Sequence, residues 1–250
     1  MTKAIQVEWL KSKRTKSLTV STLIILIGVF WSILGTVMQK SSSGWEMFFD
    51  NQDALPMFLP LAISIFVSRI ISNEKEGRTF KLQASNAHGI LEIFHNKLWF
   101  TSLFFFSMAV VYTSIISFYV TFIKGESISG LAPVHQIVTF TLGSFVQICL
   151  YIVMAMIMEK QSAVLATGFL GAFVGIVFQR LSMKFWSFFI PWLGTGFLAM
   201  YHFGYDDKTE TAFATLDNQI FLKLIVYSMY AVLCYLTARY IVSHKGGELL

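Results

Sequence analysis

The sequence predicts an all-α polytopic membrane protein with six transmembrane helices, and three observations carry that reading. Hydrophobic residues fill 55% of the 250 positions and charged residues only 13%, about half the charged share of an ordinary soluble domain. Apolar runs of about 20 residues recur along the chain, the length a helix needs to cross a hydrocarbon core of ~30 Å while bonding its backbone polar groups internally. Lys and Arg gather in alternate connecting segments, as they do when one side of a bilayer retains the positive charge. The net charge of +5 is therefore read as topological, and no nucleic-acid partner is inferred.

Taken in order, the N-terminal "AIQVEWLKSKRTKS" places Ile5, Trp9 and the stem of Lys13 on one helical face opposite a basic one. That is the pattern of a helix lying in the inner interface. A first span at about 18–38 exceeds the 7–15 apolar residues of a signal peptide and has no A-x-A site after it, so an uncleaved anchor is expected. The second, at about 54–72, carries Pro56 and Pro60 near its start, where they bend or loosen the helix. A charged segment, 73–99, leads into a third span at about 98–123.

The fourth and fifth spans are placed at about 134–158 and 162–179. In the fifth, Ala163, Thr167, Gly171 and Gly175 recur every four residues, giving a smooth face for close helix packing. The stretch "FWSFFIPWLGTGFLAMYHF" at 185–203 is apolar but broken by Pro191, Gly194 and Gly196. It reads as short interfacial or re-entrant helices rather than a seventh span. The last span falls at about 219–242. No soluble domain, repeat or low-complexity tract interrupts this order, so residues 1–250 read as one transmembrane domain.

Six spans place both termini on one side. If that side is the cytoplasm, thirteen Lys and Arg lie inside and six outside, in accord with the positive-inside rule. The outer segments then hold Glu46, Asp50, Asp53, Glu126, Asp206, Asp207, Glu210 and Asp217, a slightly acidic face able to concentrate a cationic ligand. The positive-inside bias alone would produce the same contrast.

The residues exclude most catalytic chemistry. Gly125 and Gly130 have the spacing of a phosphate-binding loop but are followed by Leu131 and Ala132 rather than Lys and Ser or Thr. The histidines, His88, His95, His135, His202 and His244, are scattered, no HExxH occurs, and no cluster has metal-ligand spacing. Cys149 and Cys234 sit in apolar runs and suit packing better than a disulfide. Arg69 and Glu159 lie near span ends, where they can snorkel, so no span carries the buried charges of a proton relay. Neither an enzyme nor an ion-coupled transporter is expected. Any energy must come from a partner.

The segment "NEKEGRTFKLQASNAHGILEIFHNKLW" is the largest surface on the inner side. Its "RTFKLQAS" can form a short helix, and "HGILEIFHNKLW" has the spacing of an amphipathic re-entry helix. On the residues alone, a docking element and a solvated loop that merely sets topology both remain open. The order Glu74, Glu76, Gly77, Arg78, Thr79, Phe80, Lys81, with His88, Gly89 and then Lys97 opening the third span, resembles the coupling segment of type-2 ABC transporter permeases. More narrowly, the chain's size and its opening "IQVEWLKSKRT" resemble the E-type and G-type permease subunits of lantibiotic (bacteriocin) immunity transporters. The resemblance implies that Glu74, Glu76, Gly77, Arg78, Phe80 and Lys81 contact a separate cytoplasmic ABC ATPase, present in two copies and holding ATP and Mg; no cofactor is expected in this chain. It further implies a second permease subunit, a bacterial cytoplasmic membrane and a cationic peptide as cargo. The alternatives to this reading are export of a drug, lipid or ion, and a non-pumping adaptor or sensor role.

Overall fold

The computed structural model describes residues 2–38, 43–50, 54–76, 89–158, 160–178, 184–207 and 210–245. Seven helices organise them: α1 (Thr2–Arg14), α2 (Ser17–Met38), α3 (Ala54–Glu76), α4 (Ile90–Phe118), α5 (Leu131–Ile157), α6 (Gln161–Val177) and α7 (Ile220–Lys245). α4 runs on through a π-helical turn, Tyr119–Ile123. Helices α2, α3, α4, α5 and α7 are long and apolar enough to cross a membrane, whereas α6, with 17 residues, is apolar but shorter.

α3 is the centre of the bundle. Its best apolar window is 78% buried, against 22% for α2 and 17% for α7, so α2 and α7 turn most of their surface outward. Leu59, Ala62, Ile63, Phe66 and Val67 of α3 are sealed. Phe66 stacks on Phe104 with ring centroids 4.7 Å apart and meets Phe105 edge-on at 5.8 Å, which fixes α3 against α4. On the α2 side the Ser21 hydroxyl donates to the Ala62 carbonyl at 3.0 Å.

The α3–α6 contact depends on glycine and proline together. Pro60 lies inside α3 and has no N–H to give the Pro56 carbonyl four residues earlier. Gly175 of α6 lies against that carbonyl so closely that a Cβ would overlap it, and Gly168 leaves the same absence of room for Ser64. Gly171 faces the Trp192 indole instead. Of the four small residues picked out by spacing, Gly171 and Gly175 are buried, while Ala163 and Thr167 are half-buried. Gly168 completes the close-packed face with them.

Residues 184–200 form three tight turns rather than longer helices: Phe185–Phe189, Pro191–Leu193 and Gly194–Phe197. They pack into the bundle. The Trp192 indole donates to the Tyr151 hydroxyl at 2.9 Å, the Gln147 amide donates to the Pro191 carbonyl at 3.3 Å, and Thr195 fills the space over Gly143. Gln147 lies 16 residues along α5 from Leu131, about 24 Å at 1.5 Å per residue.

Two differences from the sequence reading stand out. The third long helix begins at Ile90, eight residues before the expected span, because the amphipathic "ILEIFHNKLW" continues helically into the apolar run. The chain is also not wholly α. Residues Tyr201–Asp206 (β1) and Thr211–Leu216 (β2) form an antiparallel hairpin in which Tyr201 pairs with Leu216 and Gly204 with Phe213. Aromatic and β-branched residues favour those strands, and the Phe213 ring lies over Gly204, where a Cβ would come within 2.5 Å of it. Trp45 packs edge-on against Tyr201 at 5.5 Å, and the Ala214 N–H donates to the Ser43 hydroxyl at 2.9 Å, so the hairpin closes over the segment after α2.

Replacing Gly175 by Leu is expected to drive α6 from the Pro56 carbonyl and cost ~1–3 kcal/mol or more, the usual range for overpacking. Ala163→Leu, at a half-buried site, is expected to cost less. Thermal melting of the detergent-solubilised protein checks the order.

Candidate functional site: a buried charge cluster where three helices end

Four charged side chains meet where α1, the end of α3 and the start of α4 converge. The Lys97 ammonium donates to Glu74 Oε1 at 2.7 Å and also to Glu8 Oε2. Lys11 donates to the same Glu74 Oε1 at 2.8 Å and reaches Glu8 Oε1 at 3.5 Å. The Lys97 side chain is 2% exposed and that of Glu74 5%, while Lys11 remains 38% exposed. Two acids and two bases cancel, which is what allows charge to be buried here: each ion removed from water requires a partner close at hand.

Local sequence positions each member. Glu8 and Lys11 lie one helical turn apart on α1, so both face the same neighbour. The Ser12 hydroxyl donates to the Glu8 carbonyl at 2.8 Å, and Thr15 bonds the Ser12 carbonyl and the Ser17 hydroxyl, tightening the corner where α1 becomes α2. Lys16 takes φ 54° at that corner. Burial pushes the Lys11 ammonium down, but the hydrogen bond and charge of Glu74, followed by those of Glu8, outweigh it and hold Lys11 above its ordinary value.

Beside Glu74, Lys75 points the other way. Its ammonium donates to the carbonyls of Met156 and Met158, both at 2.8 Å, placing a cation on the carbonyl end of α5, where the helix dipole favours it. Adjacent residues at the end of α3 thus fasten it to α1 and α4 on one side and to α5 on the other. Segment 77–88 leaves this anchored end and returns, through Gly89, to α4, which Lys97 anchors in turn.

Of the coupling residues inferred from the sequence, Glu74 is therefore turned inward on two lysines. Glu76 is the last residue of α3, and its side chain is outside the described residues, as are Gly77, Arg78, Phe80 and Lys81. The partner roles of Lys97 and Lys11 were not read from the sequence, nor was that of Glu8. The available signal was that Glu8 is the one acid in the first forty residues, set into an otherwise basic helix.

A second polar knot fastens the hairpin to α7. Asp217 accepts from Lys223 at 2.6 Å and from His202 Nε2 at 3.0 Å, and its other oxygen accepts the Gln219 N–H at 2.8 Å. Lys223 lies 5.1 Å above the Phe197 ring. Burial, joined by the Lys223 charge, holds His202 below its ordinary 6.5 despite Asp217. Burial pushes Asp217 up, but the bonds from Lys223, Gln219 and His202 prevail and hold it below 3.8. Among the described residues no three His, Cys, Asp or Glu are placed to hold a metal ion, and both cysteines are free.

A model of the ABC-2 family of transporter proteins matches residues 4–179, a stretch that contains all but the first two residues of α1, the whole of α2 to α6 and all four members of the charge cluster. The chain belongs to the ABC-2 transporter family. It is thus a membrane component of an ABC transporter, and membership implies a lipid membrane and an ABC ATPase partner. No curated protein and no solved structure matches it.

Two outcomes are expected. Lys97→Met or Glu74→Gln leaves the buried cluster with one charge in excess and is expected to cost up to about 3–5 kcal/mol, the cost of breaking a buried pair. Combining Lys97→Met with Glu8→Gln is expected to recover part of that loss, read as a non-additive double-mutant cycle of thermal stability. At the hairpin, His202 and Asp217 both bind protons less readily folded than unfolded, so docking is strongest at neutral pH. It is expected to weaken as pH falls below about 6.5, where unfolded His202 protonates first, and to weaken again in the carboxylate range. The difference in emission between the wild type and Trp45→Phe follows this, and His202→Gln removes the first step.

Proposed function

We propose that the chain is the permease subunit of an ATP-driven exporter that expels a cationic antimicrobial peptide and so protects its producer. In this reading six helices cross a bacterial cytoplasmic membrane, α6 included, with both termini and segment 77–88 in the cytoplasm and the turns at 185–197 re-entering from outside. Two copies of a separate ATPase bind ATP and Mg. A second permease subunit completes the pore.

The observation that carries the proposal is the anchoring of both ends of segment 77–88. Glu76, Gly77, Arg78, Phe80 and Lys81 meet the ATPase in this reading, and Glu74 carries the displacement inward. A push on 77–88 reaches α3 and α4, which Glu74 and Lys97 join, and then α1 through Glu8 and α5 through Lys75. The close α3–α6 face lets those helices move as one body. The cationic cargo is supported by the resemblance to immunity permeases and by the acidic outer segments, where Glu46 and Glu126 both approach Gly44. Asp217 does not contribute, because Lys223 and His202 already occupy it.

Glu76→Lys and Gly77→Pro are expected to leave the protein inserted and folded while abolishing peptide-stimulated ATP hydrolysis in the purified complex. Producer survival against a panel of cationic peptides, with the ATPase intact or lacking its hydrolytic residue, tests cargo and energy together. Protection against one peptide class that disappears with hydrolysis supports the exporter. Protection that persists without hydrolysis replaces it with a non-pumping role, and indifference to every peptide moves the cargo to another class.

A further inference from the structure

Between α1, α2 and α4 lies a groove of about 530 Å³ whose lining is almost wholly apolar. Trp9 and Leu18 line it with Leu103 and Phe104 of α4, together with the half-buried Thr22 and the exposed Ser107. The Thr22 hydroxyl points at the Met108 sulfur, 3.7 Å away, where α2 and α4 close on each other. Along α4 the lining runs from Phe100 to Met108, about 12 Å at 1.5 Å per residue, close to the hydrocarbon depth of one leaflet of a ~30 Å core. Trp9 and Leu103 are each about half exposed, so the groove is open at the side.

Its mouth is basic. Lys13 follows Trp9 by four residues and shares its face of α1, and Lys16 stands three residues before Thr19, another lining residue, where α1 turns into α2. Both lysines are exposed. Neither takes part in the Glu8–Lys11–Glu74–Lys97 cluster, in which the charges already balance. An apolar slot of one-leaflet depth with two exposed cations near it along the chain, neither of them in an ion pair among the described residues, matches a two-part ligand: acyl chain in the slot, anionic headgroup on the cations.

We infer that this groove holds an anionic phospholipid of the inner leaflet, with an acyl chain between α2 and α4 and its phosphate on Lys13 and Lys16. The site rests on the orientation proposed above, which puts α1 at the cytoplasmic face. The bound lipid lies against the same helix that carries Glu8 and Lys11. It therefore supports α1 from the membrane side while the charge cluster holds it from the protein side.

The test is native mass spectrometry of the detergent-solubilised complex, purified with its ATPase and titrated with palmitoyl-oleoyl phosphatidylglycerol or with phosphatidylcholine bearing the same chains. One phosphatidylglycerol retained roughly tenfold more strongly than phosphatidylcholine is expected from two lysines at the headgroup. Lys13→Glu with Lys16→Glu, both exposed and therefore tolerated, should abolish the preference. Ser107→Trp should remove the adduct by filling the groove. A complex that hydrolyses ATP yet holds the two lipids alike refutes the site and leaves the exporter reading intact. So does a preference unchanged by the lysine pair, or a Leu103→Cys variant that crosslinks efficiently to a second copy of the chain, which would assign the groove to a protein neighbour.

Discussion

The geometry of one end of the bundle depends on one buried ion cluster. Lys97 cannot be taken out of water alone, because the desolvation of an unpaired ammonium costs more than any packing nearby can return. Glu74 and Glu8 neutralise it together with Lys11, and that requirement positions three chain segments at once: the end of α3, the first turns of α4 and helix α1. Apolar packing is non-directional and would tolerate several azimuths of α1. Ion pairs at 2.7–2.8 Å tolerate few. The cluster thus supplies direction where the hydrophobic contacts above it supply adhesion.

Much of this architecture is legible in the sequence because hydropathy is a local property. Each long helix appears as its own apolar run, and the expected spans at 18–38 and 134–158 lie within about three residues of the helices found. What the sequence hides is pairing. Glu8 and Lys97 are 89 positions apart, and nothing local distinguishes them from charges that merely face solvent. The small-residue spacing in α6 points to the right side of the helix but counts every fourth residue, whereas the packed face drifts, as a 3.6-residue helix requires, to Gly168, Gly171 and Gly175. The hairpin is hidden for a related reason: its strands follow apolar turns without a change in composition, and their pairing only becomes apparent once Gly204 is seen beneath Phe213.

The hairpin and the turns before it close the other end by a different strategy. There the chain does not cross on a long helix but folds Trp192 and Thr195 back against α5, using Gly143 and Gly171 as recesses. The strands then cover the segment after α2, and Asp217 fastens them to α7. The family match ends at residue 179, so these closing elements lie beyond it, while the charge cluster lies within it.

The charge cluster also has a history during synthesis. Glu8 is made 89 residues before Lys97, an interval of roughly 5–20 s at ribosomal elongation rates of about 5–20 residues per second. Throughout that interval the acid lacks Lys97, its later partner from α4, and has only Lys11 beside it. Helix α1 can seat itself only after the third long helix has entered the bilayer. Helix α1 is consequently among the last parts of this end of the bundle to reach its place, and translation order is the reverse of assembly order at this corner of the molecule.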